Sequence, residues 1–252
     1  MSEAASDVAH YDGLEFWNPV GSDRMDHLLG LLRLEPGARV LDLGCGRAEV
    51  LLRLAQHYGA RVTGVDHSEY ALALARDAFA ERAPDADATF LHKDIKTSVP
   101  PGDAFDAIVW IGGPHIGESF QTTLHALAAW TRPGGLLLIG QGFWMQPPAA
   151  AYLEATGIGA DELTDHAANI ECGTALGLRA LYCCVSNRDE WDRFEGTIHW
   201  NRETYAADHP DAPDPQGRLE RGRTWLIAQQ RDGRETMGFG FYVFRKPGTD
   251  TS

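Results

Sequence analysis

Gly44 and Gly46 in Val40-Leu41-Asp42-Leu43-Gly44-Cys45-Gly46-Arg47-Ala48 and Asp66 in Arg61-Val62-Thr63-Gly64-Val65-Asp66 are the residues whose types and spacing point most directly to chemistry. An apolar run that ends in two closely spaced glycines lets the backbone approach a nucleotide-like ligand, because neither position carries a side chain. The acid falls 20 residues after Gly46, at the end of a second apolar run. A carboxylate there can accept hydrogen bonds from both hydroxyls of a ribose. A third residue type stands out downstream, His115 after Gly112-Gly113-Pro114. A neutral imidazole can take a proton from an attacking hydroxyl, amine or thiol.

Dinucleotide binding shares this geometry and is weighed first. Its fingerprint carries a third glycine for close helix packing and faces a pyrophosphate. Here Glu49 stands in that place, so a negative charge in the first helical turn disfavours phosphates and leaves a ligand without them unopposed. The pattern D-x-G-x-G-x-A resembles the first motif of class I S-adenosylmethionine-dependent methyltransferases. Arg132-Pro133-Gly134-Gly135 is similar to the segment that enters strand five in that superfamily. The likeness covers Leu28 to Ile139, and short strings such as Gln141-Gly142-Phe143-Trp144 resemble bacterial small-molecule enzymes of the group.

The elements needed to hold these residues follow from periodicity. Met25, Leu28, Leu29 and Leu32 recur at helical spacing after Ser22. Strands are expected at 40–43, 61–65, 88–91, 104–111 and 136–140, with helices at 49–58, 68–82 and 119–130 between them. That alternation predicts a doubly wound α/β fold, a Rossmann-like sheet. Arg132 to Gly135 is expected as a turn, and Asp103 and Asp106 as solvent-facing turn residues. Beyond 145 the rhythm changes to helices at 148–156 and 160–176 and an apolar strand at 178–186. A charged stretch broken by Pro210, Pro213 and Pro215 and a last strand at 237–244 complete it. The resemblance implies a sheet of about seven strands, the last one antiparallel between strands five and six. It also implies an N-terminal helix and a helical cap near the C-terminus. The chain is expected as a single domain over 1–252, with an N-terminal lid and helix in 1–35 and a cofactor-binding core in 36–145. The helical cap with one core strand takes 146–235 and the terminal strand 236–246.

In an open α/β sheet the ligand lies beyond the carboxyl ends of the strands. The resemblance then implies S-adenosyl-L-methionine as the cofactor, held by Asp42, Gly44, Cys45, Gly46, Asp66, His67, Asp94 and Ile95. Asp66 meets the ribose, Asp94 and the Ile95 backbone the adenine, His67 the other adenosine face, and Asp42 the amino acid end. Asp66 and Asp94 would otherwise serve as plain turn caps. His115 is the candidate base, or a loop residue that shapes the pocket. Tyr11, Trp17, His115 and Trp144 are the candidate substrate-pocket residues. The aromatic set of Tyr11, Phe16, Trp17, Phe143, Trp144, Trp191, Phe194, Trp200 and Tyr205 reads as core or as a lid over an apolar substrate.

Composition narrows the function classes. The formal charge of −14 across 252 residues, with no cluster of Lys or Arg, argues against nucleic acid and anionic membrane as partners. Cys45, Cys172, Cys183 and Cys184 form no zinc spacing, and no metal site is expected. With no signal or membrane-spanning pattern, a cytoplasmic enzyme is expected. It moves a methyl group to an O, N, S or C atom of a small molecule. A nicotinamide-dependent oxidoreductase and a methyltransferase acting on protein or RNA are the alternatives. Gly112-Gly113-Pro114-His115 lacks the Asn/Asp-Pro-Pro-Tyr string of many amino-methylating enzymes, which counts against the last.

Overall fold

A computed structural model describes residues 8–96, 104–211 and 214–248. The chain divides into two compact units. A sheet unit comprises Ser22–Gln141, Ala167–Cys184 and the chain from Gly240; a helical unit comprises the segments Gly142–His166 and Val185–Phe239 with the N-terminal residues to Gly21. The expected subdivision falls differently at two places. Helix α1 (Ser22–Leu32) and strand β6 (Arg179–Val185) both go with the sheet unit.

Seven strands form one sheet: β1 (Arg39–Leu43), β2 (Arg61–Asp66), β3 (Ala88–His92), β4 (Phe105–Ile111), β5 (Thr131–Trp144), β6 and β7 (Met237–Arg245). Their order is β3-β2-β1-β4-β5-β7-β6. Strand β1 pairs in parallel with β2 on one side and β4 on the other, so the strand order reverses there. The continuous apolar runs of β1 and β4 match their central position, where a strand is covered on both faces. Strand β7 is antiparallel to β5. Lys246 N–H donates to Gly135 at 2.9 Å while Met145 N–H donates to Thr236 at 2.8 Å, so one strand advances as the other retreats.

The connecting helices of the sheet unit are α2 (Glu49–Tyr58), α3 (Glu69–Arg82) and α4 (Phe120–Trp130). Met25, Leu28, Leu29 and Leu32 are the buried face of α1, as their spacing predicts. In α2 the buried stripe includes Leu52, while Tyr58 is half-buried and donates its hydroxyl to Leu29 O at 3.1 Å. Ser119 closes a capping box on α4, fixing where that helix begins. The core joins Leu41, Ile108, Trp110, Leu137, Ile139, Tyr242 and Phe244. Helix α6 (His166–Ala175) lies against β7, where Asn169 donates to the Tyr242 hydroxyl at 3.1 Å.

Three expectations need correction. Arg132 to Gly135 is part of β5, where Phe105 pairs with Thr131 and Ala107 already pairs with Leu136. The proline and glycines therefore make a bulge within a strand, which absorbs turn-forming residues without ending it. Asp106 lies on β4, accepting Arg39 N–H at 2.8 Å and pairing with Arg132, so it ties strands together. Asp103 lies outside the described residues. Strand β6 is the sheet's edge, which leaves Leu181, Tyr182 and Val185 exposed despite their apolar character.

The helical unit holds α5 (Ala150–Thr156), α7 (Arg188–Asp208), α8 (Pro215–Ala228), a π-helical turn at Gln229–Gly233 and a final turn, α9 (Arg234–Thr236). Asn187 and Glu190 form the capping box of α7, and Glu190 also accepts Gly21 N–H at 2.9 Å. No described helix is long and apolar enough to cross a membrane.

Candidate active site

The β1 turn is built by backbone that favours glycine. Gly44 and Gly46 have φ of 80° and 52°. Both the Gly44 and Cys45 N–H groups donate to Val65 O, at 2.8 and 3.1 Å. Asp66 then fixes the turn from β2: its Oδ2 accepts Gly46 N–H at 2.8 Å and its Oδ1 accepts Ser68 N–H at 2.9 Å. A carboxylate has about four acceptor positions, so these two bonds leave capacity for a ligand. Ala48, the residue before α2, sits in the left-handed region at φ 59° with no side chain that caps. The backbone strain of a β-carbon there is held at the mouth of the site.

Opposite this turn lies a second glycine turn. A β-carbon on Gly44 would stand 3.7 Å from the Cα of Gly113, and one on Gly113 would stand 2.9 Å from the indole nitrogen of Trp110. The space between the ends of β1 and β4 is therefore kept open by two residues without side chains. Gly64 was not singled out from the sequence; a β-carbon there would meet the Cys45 sulfur at 2.8 Å. Its signal was a glycine inside a strand run, which marks close approach of neighbouring structure.

Asp42 is buried on β1, and burial, with Asp66 adding to it, pushes its carboxyl up to about 8. Burial likewise pushes the Cys45 thiol up, with Asp42 and Asp66 acting in the same direction. Cys45 is thus a packed, protonated thiol whose backbone, not sulfur, shapes the turn. Glu49 is buried too, but its carboxylate is engaged by Arg53 at 3.1 Å and by Arg82 at 2.6 and 3.0 Å. Burial raises its pKa, yet the hydrogen bonds from Arg82 and Arg53 prevail and lower it. The expected repulsion of phosphate is corrected accordingly: Glu49 is a compensated ion-pair anchor between α2 and α3.

Asp94 is exposed, and its Oδ1 accepts Lys96 N–H at 2.9 Å, while Ile95 is buried. His67 is largely solvent-exposed, its Nδ1 3.5 Å from Asp66 Oδ1. Beyond β4 and β5, His115 and Gln141 come together, their Nε2 atoms 3.5 Å apart. The imidazole lies over the Trp110 ring at 5.9 Å between centroids, and Gln141 is buried. The His115–Gln141 pairing and the Trp110 platform were not visible in the sequence, since strand register brings them together. Among the described residues no three His, Cys, Asp or Glu side chains gather as a metal site needs.

The other candidate pocket residues belong to the helical unit. Tyr11 stacks on Trp17 at 4.8 Å and approaches Phe194 at 6.3 Å. Asn201 of α7 holds this N-terminal segment through the carbonyls of His10 and Asp12, at 3.0 and 2.7 Å. Trp144 is buried against Tyr152 and gives its indole N–H to Ala160 O at 2.9 Å. Trp200 is 72% exposed and takes no part in any apolar cover.

Residues 40–135 match the Methyltransferase domain family. The chain is 28% identical over 196 residues to the uncharacterised protein YjhP of Escherichia coli (strain K12), covering 77% of this chain and 79% of that one. It is 32% identical to the 27-O-demethylrifamycin SV methyltransferase of Amycolatopsis mediterranei (strain S699), across 52% of this chain and 47% of that enzyme. The chain thus spans about half the length of that relative. A methyltransferase of Geobacter sulfurreducens, solved with S-adenosyl-L-homocysteine, superposes with a TM-score of 0.87 at 26% identity, covering 95% of this chain and 97% of that one. Two facing glycine turns and a buried acid at the end of β2 suit such a ligand, which needs close backbone approach and carries no phosphate. The chain belongs to the class I S-adenosylmethionine-dependent methyltransferase superfamily, with S-adenosylmethionine as its cofactor.

Proposed function

We propose that the protein transfers the methyl group to a nucleophilic atom of a small-molecule acceptor by in-line displacement, with His115 beside the acceptor. The observation that carries this reading is the His115–Gln141 pair at the ends of the two adjacent central strands. When bound, S-adenosylmethionine supplies an electrophilic methyl on a sulfonium sulfur. Asp66 accepts the ribose hydroxyls while holding the Gly46 turn. Asp94 and the Ile95 backbone take the adenine, His67 covers the adenosine's other face, and Asp42 orients the amino acid end. The backbone of Gly44, Cys45 and Gly46 lines the cofactor's path.

Orientation does most of the work in such a transfer, up to about 7–11 kcal/mol in favourable cases. His115 accepts the proton of an acceptor that arrives protonated, a contribution of about 10²–10⁴-fold. Gln141 restrains the ring, and the flat face of Trp110 supports it. Tyr11 and Trp17 are assigned to the acceptor, and Trp144 to the same pocket through its hold on α5. The charge of −14 supports a small acceptor in a cytoplasmic setting over a nucleic acid. The names of relatives that act on demethylrifamycin and on trans-aconitate support the same class.

The test uses S-adenosylmethionine labelled on its methyl carbon, mixed with a deproteinised, nucleic-acid-free extract of small metabolites. Label in low-molecular-mass products is the expected result. Label found only on added protein or RNA would overturn the small-molecule reading.

A further inference from the structure

A cavity of about 120 Å³ lies wholly within the helical unit, lined among others by Phe143, Val185, Ser186, Trp191 and Met237 and by the π-helical turn. We propose that it binds a neutral, ring-sized apolar group carrying one hydrogen-bond-accepting oxygen, such as a small aromatic ketone or ester. The inference stands apart from methyl transfer, and inactive protein would test it equally well.

Size sets the first limit. An apolar cavity of about 150 Å³ takes up benzene, so this one holds a single ring or a short branched chain and nothing larger. Charge sets the second. The wall's arginines are already engaged, Arg188 with Glu235 and Arg234 with Asp192. The remaining acid, Glu195, accepts the Trp225 indole N–H at 2.8 Å, and burial pushes its carboxyl up toward the neutral form. An ionic ligand would therefore find no free counter-charge on the wall and would lose its hydration.

The polar atoms set the third. The Trp191 indole nitrogen and the Ser186 hydroxyl are buried without a hydrogen-bond partner among the described residues. Buried donors are almost always satisfied, and an indole N–H can only donate. What completes it is an acceptor oxygen, and Ser186 can donate to the same atom. The wall itself is held open by construction. Gln229 accepts the Tyr152 hydroxyl at 2.6 Å and lies so close over Gly233 that a β-carbon there would run into it. Gly238 likewise leaves room for the Phe143 ring, which a β-carbon would meet. π-Helical turns recur at functional sites because they interrupt the regular helix ladder.

Acetophenone, ethylbenzene and benzoate are suitable probes of similar size. The chain has seven tryptophans, and the indole N–H resonance of Trp191 is identified by its loss in Trp191→Phe. Acetophenone should give a saturable shift of that resonance, and benzoate should give none. Trp191→Phe and Ser186→Ala should each weaken acetophenone about 2- to 12-fold and leave ethylbenzene unchanged. Ser186→Ala removes one oxygen only and carries the test if the tryptophan variant melts early. No saturable shift up to the solubility limit, equal binding of benzoate, or unchanged acetophenone affinity in Ser186→Ala would overturn the proposal.

Discussion

Asp66 Oδ2 accepts the backbone N–H of Gly46 at 2.8 Å, so the acid that ends β2 also shapes the turn that follows β1. One carboxylate thus serves two proposed purposes, bracing the turn and accepting ribose hydroxyls. Asp66→Ala should weaken S-adenosylhomocysteine binding by about 10- to 150-fold, from loss of about 1.5–3 kcal/mol per charge-assisted bond. Asp66→Asn keeps one acceptor oxygen and should lose less. Calorimetric affinities equal to wild type in both would assign the acid to turn bracing alone.

Asp42 predicts a distinctive pH profile. Its folded carboxyl is raised from 3.8 to about 8 by burial, with Asp66 adding to it. Between about pH 4 and pH 8 the folded state keeps a proton that the unfolded state has lost, so stability falls as pH rises through that window. Asp42→Asn should flatten the decline, read from urea midpoints across the range. Binding of a ligand with a cationic ammonium at this end should also release a proton near neutral pH. Calorimetry in buffers of different ionisation enthalpy would detect it.

Glu49 should behave in the opposite sense. Arg82 and Arg53 hold its folded pKa below the ordinary value against the upward push of burial. The stabilisation is present above the unfolded pKa and is lost as pH falls through the folded one. Glu49→Gln should cost about 1–3 kcal/mol at pH 7 and much less in acid. A pH-independent difference between the two proteins would place the effect in packing instead.

His115→Ala should lower kcat by about 10²-fold or more and leave S-adenosylhomocysteine affinity nearly unchanged. Gln141→Ala should give a smaller fall in kcat, since it restrains the ring without accepting the proton. If His115 only shapes the pocket, KM rises while kcat and its pH dependence stay as they were.

The sheet unit was largely legible because its signals are local. Helical spacing at Met25 to Leu32, apolar runs at β1 and β4, and Ser68 and Ser119 as caps each depend on a few neighbouring residues. What stayed hidden depends on register and on partners far away in sequence. The bulge at Arg132 to Gly135 follows from how β5 pairs with β4, and local turn chemistry points the other way. The charge of Glu49 could not be discounted without seeing Arg82, 33 residues on. His115 and Gln141 meet because β4 and β5 end side by side, a fact that neither segment carries alone.

The π-helical turn at Gln229–Gly233 has a consequence at the scale of the gene. A wide turn accommodates one residue more than a regular helix would, so losing a single codon there would let the segment relax into α-helix. Every position from Arg234 onward would then swing by about 100°, the angular step of one residue. Arg234 would leave Asp192, and Gly233 would no longer lie beneath Gln229. In-frame loss of one codon should therefore damage this wall more than most substitutions along it.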